Sequence, residues 1–482
     1  MQNFSEFCQL SIKDNKLCLK AIIDITPGDV ILEEQPILMS PQWESDQMKC
    51  SNCLKSSFVM CQACLVFPMC VECSAHDQFD CEFFQRAKNI SKNVLISNYT
   101  IYAPLKCLLK MENPKTSNGG VNELLKLNAH LEDYLKSETW VEHRQKVVQP
   151  ILECGIAEYF QNIKVDEEIL QKLCSLIDLN SYEITNRDGE QVRGIYLRAP
   201  TIPHSCIPNT LMAVDDDFNL KIYASLPIRQ GEIIYISYTN PLMGTSQRQH
   251  HLKMTKFIDC SCPRCKDPTE LGTYLSSIKC KLCPEGYVSF SNSQWTCEKC
   301  SSTISEVDVN RLLSEVAEQI LYADGDVRQY EALLAKYTCD FHPHHFLMID
   351  IKQNIASILR AILMNPLCQP GRSVLRRKIE LCEEMLPVVR AVQPGISRLY
   401  AIALYEFVIT FVELTNYEYN DGEISIDEYK NRLLKSREMS NESVRMLEFE
   451  PLNSPEGHLG QRIKMELKQI EEYLTKVGSD AV

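Results

Sequence analysis

The chain lacks a positive balance of charge: 64 Asp and Glu stand against 50 Lys and Arg, a net of −14. Gripping nucleic-acid phosphates needs clustered Lys and Arg to neutralise them, so a primary role on nucleic acid is not expected and proteins are the expected partners. No decisive basic cluster of the nuclear-import kind is present either. Met1 to Leu10 holds Glu6 and has neither a basic stretch nor an apolar core, so nothing there resembles a secretory signal. Long apolar runs are also missing. The longest, Leu399 to Leu414, is broken by Glu406 and Glu413 and falls short of the roughly 18 to 20 residues that a membrane span needs. The expectation is a soluble chain of the cytoplasm or nucleus, without membrane contact, in which paired cysteines read as metal ligands before disulfides.

Cysteine, by contrast, is abundant, with 23 in 482 residues. At this length roughly two to four domains are expected, and a hydrophobic share of 45% is ample for packed cores. Residues 1 to 45 read as short strands. "LCLKAIIDI" leads to a turn at Pro27-Gly28-Asp29 and "VILEEQPIL" resumes the apolar run, the pattern of a hairpin. From Lys49 to Cys81 hydrophobic periodicity disappears, as expected where metal rather than a core holds the fold. From Phe83 to Leu179 the pattern is helical, with Leu124, Leu127, Leu131 and Leu135 predicted on one face and further apolar positions at Leu170, Leu173 and Leu176. Residues 180 to 265 return to strand and loop through "GIYLRAP", "LMAV", "LKIYASL" and "IIYISY". After Cys300 the chain reads as paired helices with acidic faces, without a strict 34-residue period. The expected fold class is α+β multidomain: a β-rich domain interrupted by a metal module and a helical insert, followed by a helical domain.

Three cysteine constellations stand out. The first is Cys50-x2-Cys53, Cys61-x2-Cys64, Cys70-x2-Cys73 and His76-x4-Cys81. A C-x2-C knuckle presents two thiolates to one tetrahedral ion, so eight ligands imply two zinc ions. Pairing the first knuckle with the third, and the second with His76 and Cys81, gives interleaved sites; sequential pairing is open on spacing alone. The second, Cys260-x-Cys262-x2-Cys265, lacks a fourth ligand, for which Cys206 in "PHSCIPN" is the candidate. The third, Cys280-x2-Cys283 with Cys297-x2-Cys300, has the arrangement of a small zinc ribbon. None leaves an acidic residue beside an open metal position, so the zinc reads as structural. Cys8, Cys18, Cys107, Cys154, Cys174, Cys339, Cys368 and Cys382 read as buried thiols. His342, His344 and His345 in "FHPHHF" read as surface or helix-start residues rather than ligands, and "DDD" at 215–217 as a solvated hairpin tip.

Taken together, "HSCIPN" at 204–209, "GEIIYISYT" at 231–239 and "CSCPRC" at 260–265, with the eight-ligand cluster near the front, resemble the SMYD family, whose members split a SET methyltransferase domain around a MYND zinc finger. "SYTNPLMGTSQRQHHL", "DPTELGTYLS" and the extra ribbon look most like the arthropod-specific group. The resemblance implies a SET N-terminal part at 1–48, a MYND finger at 49–82, a helical insert at 83–179, the SET catalytic core at 180–259, a post-SET zinc site and zinc ribbon at 260–301 and a helical, TPR-like domain at 302–482. It implies S-adenosylmethionine as cofactor, about four zinc ions, a substrate lysine on a histone or other protein, peptide motifs bound at the finger, and a monomer. Tyr238 would face the lysine channel as the catalytic residue. His204 and Asn180 would contact the cofactor, the turn at Lys16, Leu17 and Cys18 would approach its methionine end, and Cys206 would complete the zinc site of Cys260, Cys262 and Cys265.

The chain departs from that family pattern at four places. Lys16-Leu17-Cys18 replaces a G-x-G turn, and Pro203 replaces an Asn, removing an amide side chain and a backbone N–H. Lys256, followed by Phe257, stands where many members have a second channel tyrosine, and Ile258 replaces an aromatic expected against adenine. Two readings follow: a protein-lysine methyltransferase, or a weakly active or inactive scaffold that binds proteins through its finger and helical tail.

Overall fold

The structure, a computed structural model, describes residues 4–479 apart from 14–15, 44–47, 74, 117–119, 128, 186–188, 292–293, 324, 366 and 368–369. Three three-stranded sheets build the β-rich body, and each joins early strands to late ones. Cys8–Lys13 pairs with Lys16–Ala21, which pairs on its other edge with Ile233–Ile234. Val30–Glu34 pairs with Leu220–Ala224, which pairs in turn with Thr210–Val214. Leu38–Pro41 pairs with Gln191–Ile195, beside Ser181–Thr185. In Leu220–Ala224 burial alternates, with Leu220, Ile222 and Ala224 inward, as a half-buried strand requires. These side chains join Leu19, Ile31, Leu32, Val192, Tyr196 and Ile234 in one core.

Two segments differ from the local expectation. The turn at Pro27-Gly28-Asp29 forms, with Gly28 at φ +98°, but it connects two sheets and closes no hairpin. Both edges of Lys16–Ala21 are already taken by Cys8–Lys13 and Ile233–Ile234, so the strand after the turn pairs elsewhere. Lys16, Leu17 and Cys18 are likewise strand, opposite Lys13, Ile12 and Ser11, rather than a turn; the connection is at 14–15, outside the described residues.

The cysteine-rich module contains the hairpin of Val59–Met60 with Pro68–Met69. Its Cys64, Val66 and Phe67 pack into a core with Phe83, Phe84, Leu108 and Leu173 of the helical insert. The helix Glu167–Asn180 starts at Asp166, whose carboxylate accepts the Ile169 N–H, and buries Leu170, Leu173 and Leu176 as expected. The predicted 124–135 face does not form. It is split between Gly120–Leu124 and Leu131–Tyr134, with His130 in the left-handed region and Leu131 and Leu135 exposed.

After Cys265 the strands Ile278–Lys279, Tyr287–Ser291, Gln294–Cys297 and Thr303–Ile304 form a four-stranded sheet. Its Val288 and Trp295 share a core with Val316 and Ile355 of the helices Glu306–Tyr322 and Phe346–Leu363. Among the described residues seven α-helices fill 306–479, each packing against the next. His345 caps the start of one of them by accepting the Leu347 N–H, but it is wholly buried against Phe341 and Phe346, not at the surface. The run at 399–414 belongs to a longer helix, Arg398–Asn420, which by length and composition is apolar enough to cross a membrane. Here it is a packing helix: Ala401, Leu404, Phe407 and Val408 are buried, and its Glu406 meets Lys378 and Arg360 from neighbouring helices. Of the unpaired cysteines, Cys8, Cys18, Cys107, Cys154, Cys174 and Cys382 are buried as expected, Cys339 is exposed, and Cys368 falls outside the described residues.

Candidate functional site

The helix Glu167–Asn180 runs directly into the strand Ser181–Thr185. The helix Thr245–Lys256 stops at Phe257, whose φ of +53° reverses the chain so that the Ile258 N–H returns to the Leu252 carbonyl. These two helix ends border a cavity of about 570 Å³. Its wall combines apolar Leu179, Met212, Met254 and Phe257 with Tyr182, Glu183, Arg193, Tyr238 and Lys256. Size and mixture are those of a small-molecule pocket.

Tyr238 is fixed at both ends. Its hydroxyl donates to the Ile202 carbonyl at 2.7 Å and the Pro200 carbonyl at 3.3 Å, and its backbone N–H donates to His204 Nδ1 at 3.0 Å. The His204 ring stacks on the phenol ring at 5.6 Å. His204 pairs in parallel with Ile236, the Ser205 N–H reaching the Ile236 carbonyl and the Ile236 N–H the Pro203 carbonyl. That crossing brings two residues 34 positions apart into contact. Burial raises the Tyr238 phenol far above its ordinary value, so it is a neutral hydroxyl at physiological pH. The Tyr182 ring lies 6.4 Å away, and its hydroxyl is buried without a hydrogen bond.

Lys256 reaches the same cavity. Its Nζ donates to the Asp178 and Leu179 carbonyls, both at 2.9 Å, and sits 5.8 Å from the centre of the Tyr238 ring. Burial pulls this ammonium down to about 8. The Asp178 carboxylate is itself engaged by Trp43 and, at 3.0 Å, by Arg193.

The expected cofactor residues are placed elsewhere. His204 lies behind Tyr238, and Asn180 is buried with its amide donating to the Leu176 carbonyl of its own helix. Leu17 is exposed and Cys18 buried on their strand, where Lys16 pairs with Lys13. Leu17, Cys18, Asn180 and His204 do not line the cavity.

The metal ligands come together as four groups, in each of which the ligand atoms lie within 4.8 Å of one another. The first module is interleaved: Cys50, Cys53, Cys70 and Cys73 form one group, and Cys61, Cys64, His76 and Cys81 the other. Cys206 closes the group of Cys260, Cys262 and Cys265, and Cys280, Cys283, Cys297 and Cys300 form the fourth. Sulfur–sulfur separations include 3.6 Å for Cys53–Cys70, 3.8 Å for Cys61–Cys81, 3.5 Å for Cys206–Cys265 and 3.7 Å for Cys280–Cys300. A tetrahedron with zinc–sulfur bonds of about 2.3 Å has edges of about 3.8 Å, so each donor set fits zinc.

Sequence reasoning missed what surrounds the Cys206 group. Arg248 is wholly buried, with Nε 3.2 Å from Cys206 Sγ and Nη2 3.6 Å from Cys265 Sγ, and Nη1 on Glu270 at 2.8 Å. Arg264, also wholly buried, meets the same carboxylate at 2.9 Å. Burial opposes the Glu270 charge, but the two guanidiniums hold its carboxyl below the usual range. Four thiolates around a divalent ion leave a double negative charge, which Arg248 offsets from one side. The one available signal was Arg264, confined between the ligands Cys262 and Cys265.

Residues 16–239 match the SET domain family. The chain is 26% identical over 272 residues to isoform A of the SET domain-containing protein SmydA-8 of Drosophila melanogaster, covering 54% of this chain and 55% of that one. It is 20% identical over 408 residues to the histone-lysine N-methyltransferase ASHR1 of Arabidopsis thaliana, covering 79% and 82%. A solved SET domain of LSMT bound to lysine and AdoHcy aligns with 98% of this chain and 89% of that chain, at 14% identity and a TM-score of 0.26. The sheets, the crossing at His204 and the family match define a SET-domain protein. Within that class the chain is similar to the SmydA-8 isoforms, and it spans about half the length of those relatives.

Proposed function

We propose that this protein is an S-adenosylmethionine-dependent protein-lysine N-methyltransferase of the SET and MYND type. The observation that carries the reading is Tyr238, anchored through its hydroxyl to two main-chain carbonyls in the wall of the 570 Å³ cavity. The apolar part of the wall and a buried Tyr182 hydroxyl without a hydrogen bond fit a nucleoside-bearing cofactor there. When bound, that cofactor supplies a methyl group activated on a sulfonium. The chain itself contributes position and dryness. Tyr238 presents a neutral, fixed phenol to the route of the substrate amine, Leu179, Met212, Met254 and Phe257 exclude water, and Tyr182 offers a hydroxyl for an incoming polar group. Methyl transfer needs little else from a protein.

The likeness to a histone-lysine methyltransferase supports a protein lysine, on a histone or another protein, as substrate. In this reading residues 1–48 and 180–259 form the SET domain, 49–82 the MYND finger, 83–179 the helical insert, 260–301 the post-SET site and ribbon, and 302–482 the TPR-like domain. Four structural zinc ions occupy the four groups, and their reduced thiols suit the cytoplasm or nucleus.

Calorimetric titration of the zinc-replete protein with S-adenosylmethionine tests the proposal. Micromolar binding is expected, with Tyr238→Phe slowing methylation of protein substrates by about 10²-fold or more. No binding up to about 1 mM, weaker than about −4 kcal/mol, removes the enzyme reading. A second reading, a weakly active or inactive scaffold, is favoured by the Asn180 amide bonded within its own helix and by Phe58 and Val71, 90% and 95% exposed on the metal module.

A further inference from the structure

We infer that Lys256 makes this cavity select the neutral thioether S-adenosylhomocysteine over the sulfonium S-adenosylmethionine. The inference rests on reading the cavity as an S-adenosyl site. It starts from where Lys256 is held. The residue ends the helix Thr245–Lys256, and the left-handed Phe257 that follows turns the backbone away. The ammonium is tied to the Asp178 and Leu179 carbonyls in the last turn of the facing helix, groups that have no partner within that helix. It therefore stays in the wall, 5.8 Å from the centre of the Tyr238 ring.

The charges facing it do not cancel it. Asp178 is paired with Arg193 at 3.0 Å, and the two together are neutral. Glu183 is exposed at the rim, where water screens its carboxylate. Burial lowers His251 and keeps it neutral, and it raises Tyr182 and Tyr238, which stay uncharged. One buried positive charge remains. With its value near 8, the ammonium is mostly protonated at pH 7. A cavity of about 570 Å³ keeps any ligand charge within roughly 10 Å of Nζ, about one Debye length, so salt does not hide the two from each other. At an effective dielectric constant of about 20, two like charges at that range disfavour binding tenfold or more. The sulfonium brings such a charge and the thioether does not. The amino and carboxyl groups are common to both ligands and drop out of the comparison.

The test is calorimetric titration of the full chain with both ligands at pH 7, for the wild type, Lys256→Met and Lys256→Arg. The wild type is expected to bind S-adenosylhomocysteine at least tenfold more tightly. Lys256→Met should bring the two affinities within threefold, mainly by tightening S-adenosylmethionine, and Lys256→Arg should keep the preference. If Lys256→Met does not fold, raising the pH of the wild type to 9.5 removes the same charge and should shrink the ratio to the same extent. A wild-type ratio within threefold, or a ratio unchanged both by Lys256→Met and by pH 9.5, overturns the inference and leaves the proposed function standing. Binding of neither ligand overturns both.

Discussion

Cys206 joins Cys260, Cys262 and Cys265 across a span of 54 residues, and this group packs against Leu252 and Tyr238 at the edge of the cavity. Cys280 and Cys300 are 20 residues apart, and their group clamps the turns of a small sheet, with Cys300 exposed. Both groups offer four thiolates, but their spacing and their surroundings differ. The first site has two buried arginines and a buried glutamate around it; the second has exposed Lys299 and Glu285 nearby. A metal that closes a long loop constrains the unfolded chain more than one that closes a short loop, and a buried cluster depends on charges that a surface cluster can leave to water. The first group thus holds a domain together and the second a local motif.

That contrast is sharpest under substitution of a ligand. Cys206→Ser should lower bound zinc by one ion per chain and remove a share of the roughly 10–16 kcal/mol that a structural zinc contributes to folding, with loss of ligand binding in the cavity; zinc analysis and thermal unfolding measure both. Glu270→Gln should come next. It leaves Arg248 and Arg264 buried without their carboxylate, at a cost of about 3–5 kcal/mol, read as a fall in the denaturation midpoint with zinc still bound. Cys300→Ser should also lose one zinc ion. Its damage is confined to faster amide exchange through 278–304, while cavity affinity changes by less than twofold; an equal loss of affinity would erase the distinction between the sites. Gly286→Ala should have the smallest effect. A Cβ there would press on the Cys283 and Cys297 sulfurs, weakening zinc against a competing chelator and destabilising the chain by about 1–3 kcal/mol.

The ligands were legible because a C-x2-C knuckle has one dominant physical use, and all sixteen expected ligands meet in groups of four. Spacing did not decide the interleaved pairing, since any two knuckles can face one ion. The strand regions and the helical tail were legible from periodicity, but strand partners were not, because the partner of Val30–Glu34 lies more than 180 residues away. Helical spacing at 124–135 misled because His130 interrupts it. Arg248 and Glu270 carry no local mark of burial, and Lys256, noted as a replaced tyrosine, showed its charge in the cavity only once the two helix ends were seen together.

The pairing of early strands with late ones also sets an order of events during synthesis. The strands before residue 42 leave the ribosome well before 191–234, their partners across the sheets, so they wait with open edges while the metal module and helical insert can already close. Contacts this distant in sequence are slow to form, and waiting strands are prone to pair with other chains. For this protein the hazardous moment is therefore translation, before Ile234 exists, and any pause between residues 42 and 190 would prolong it.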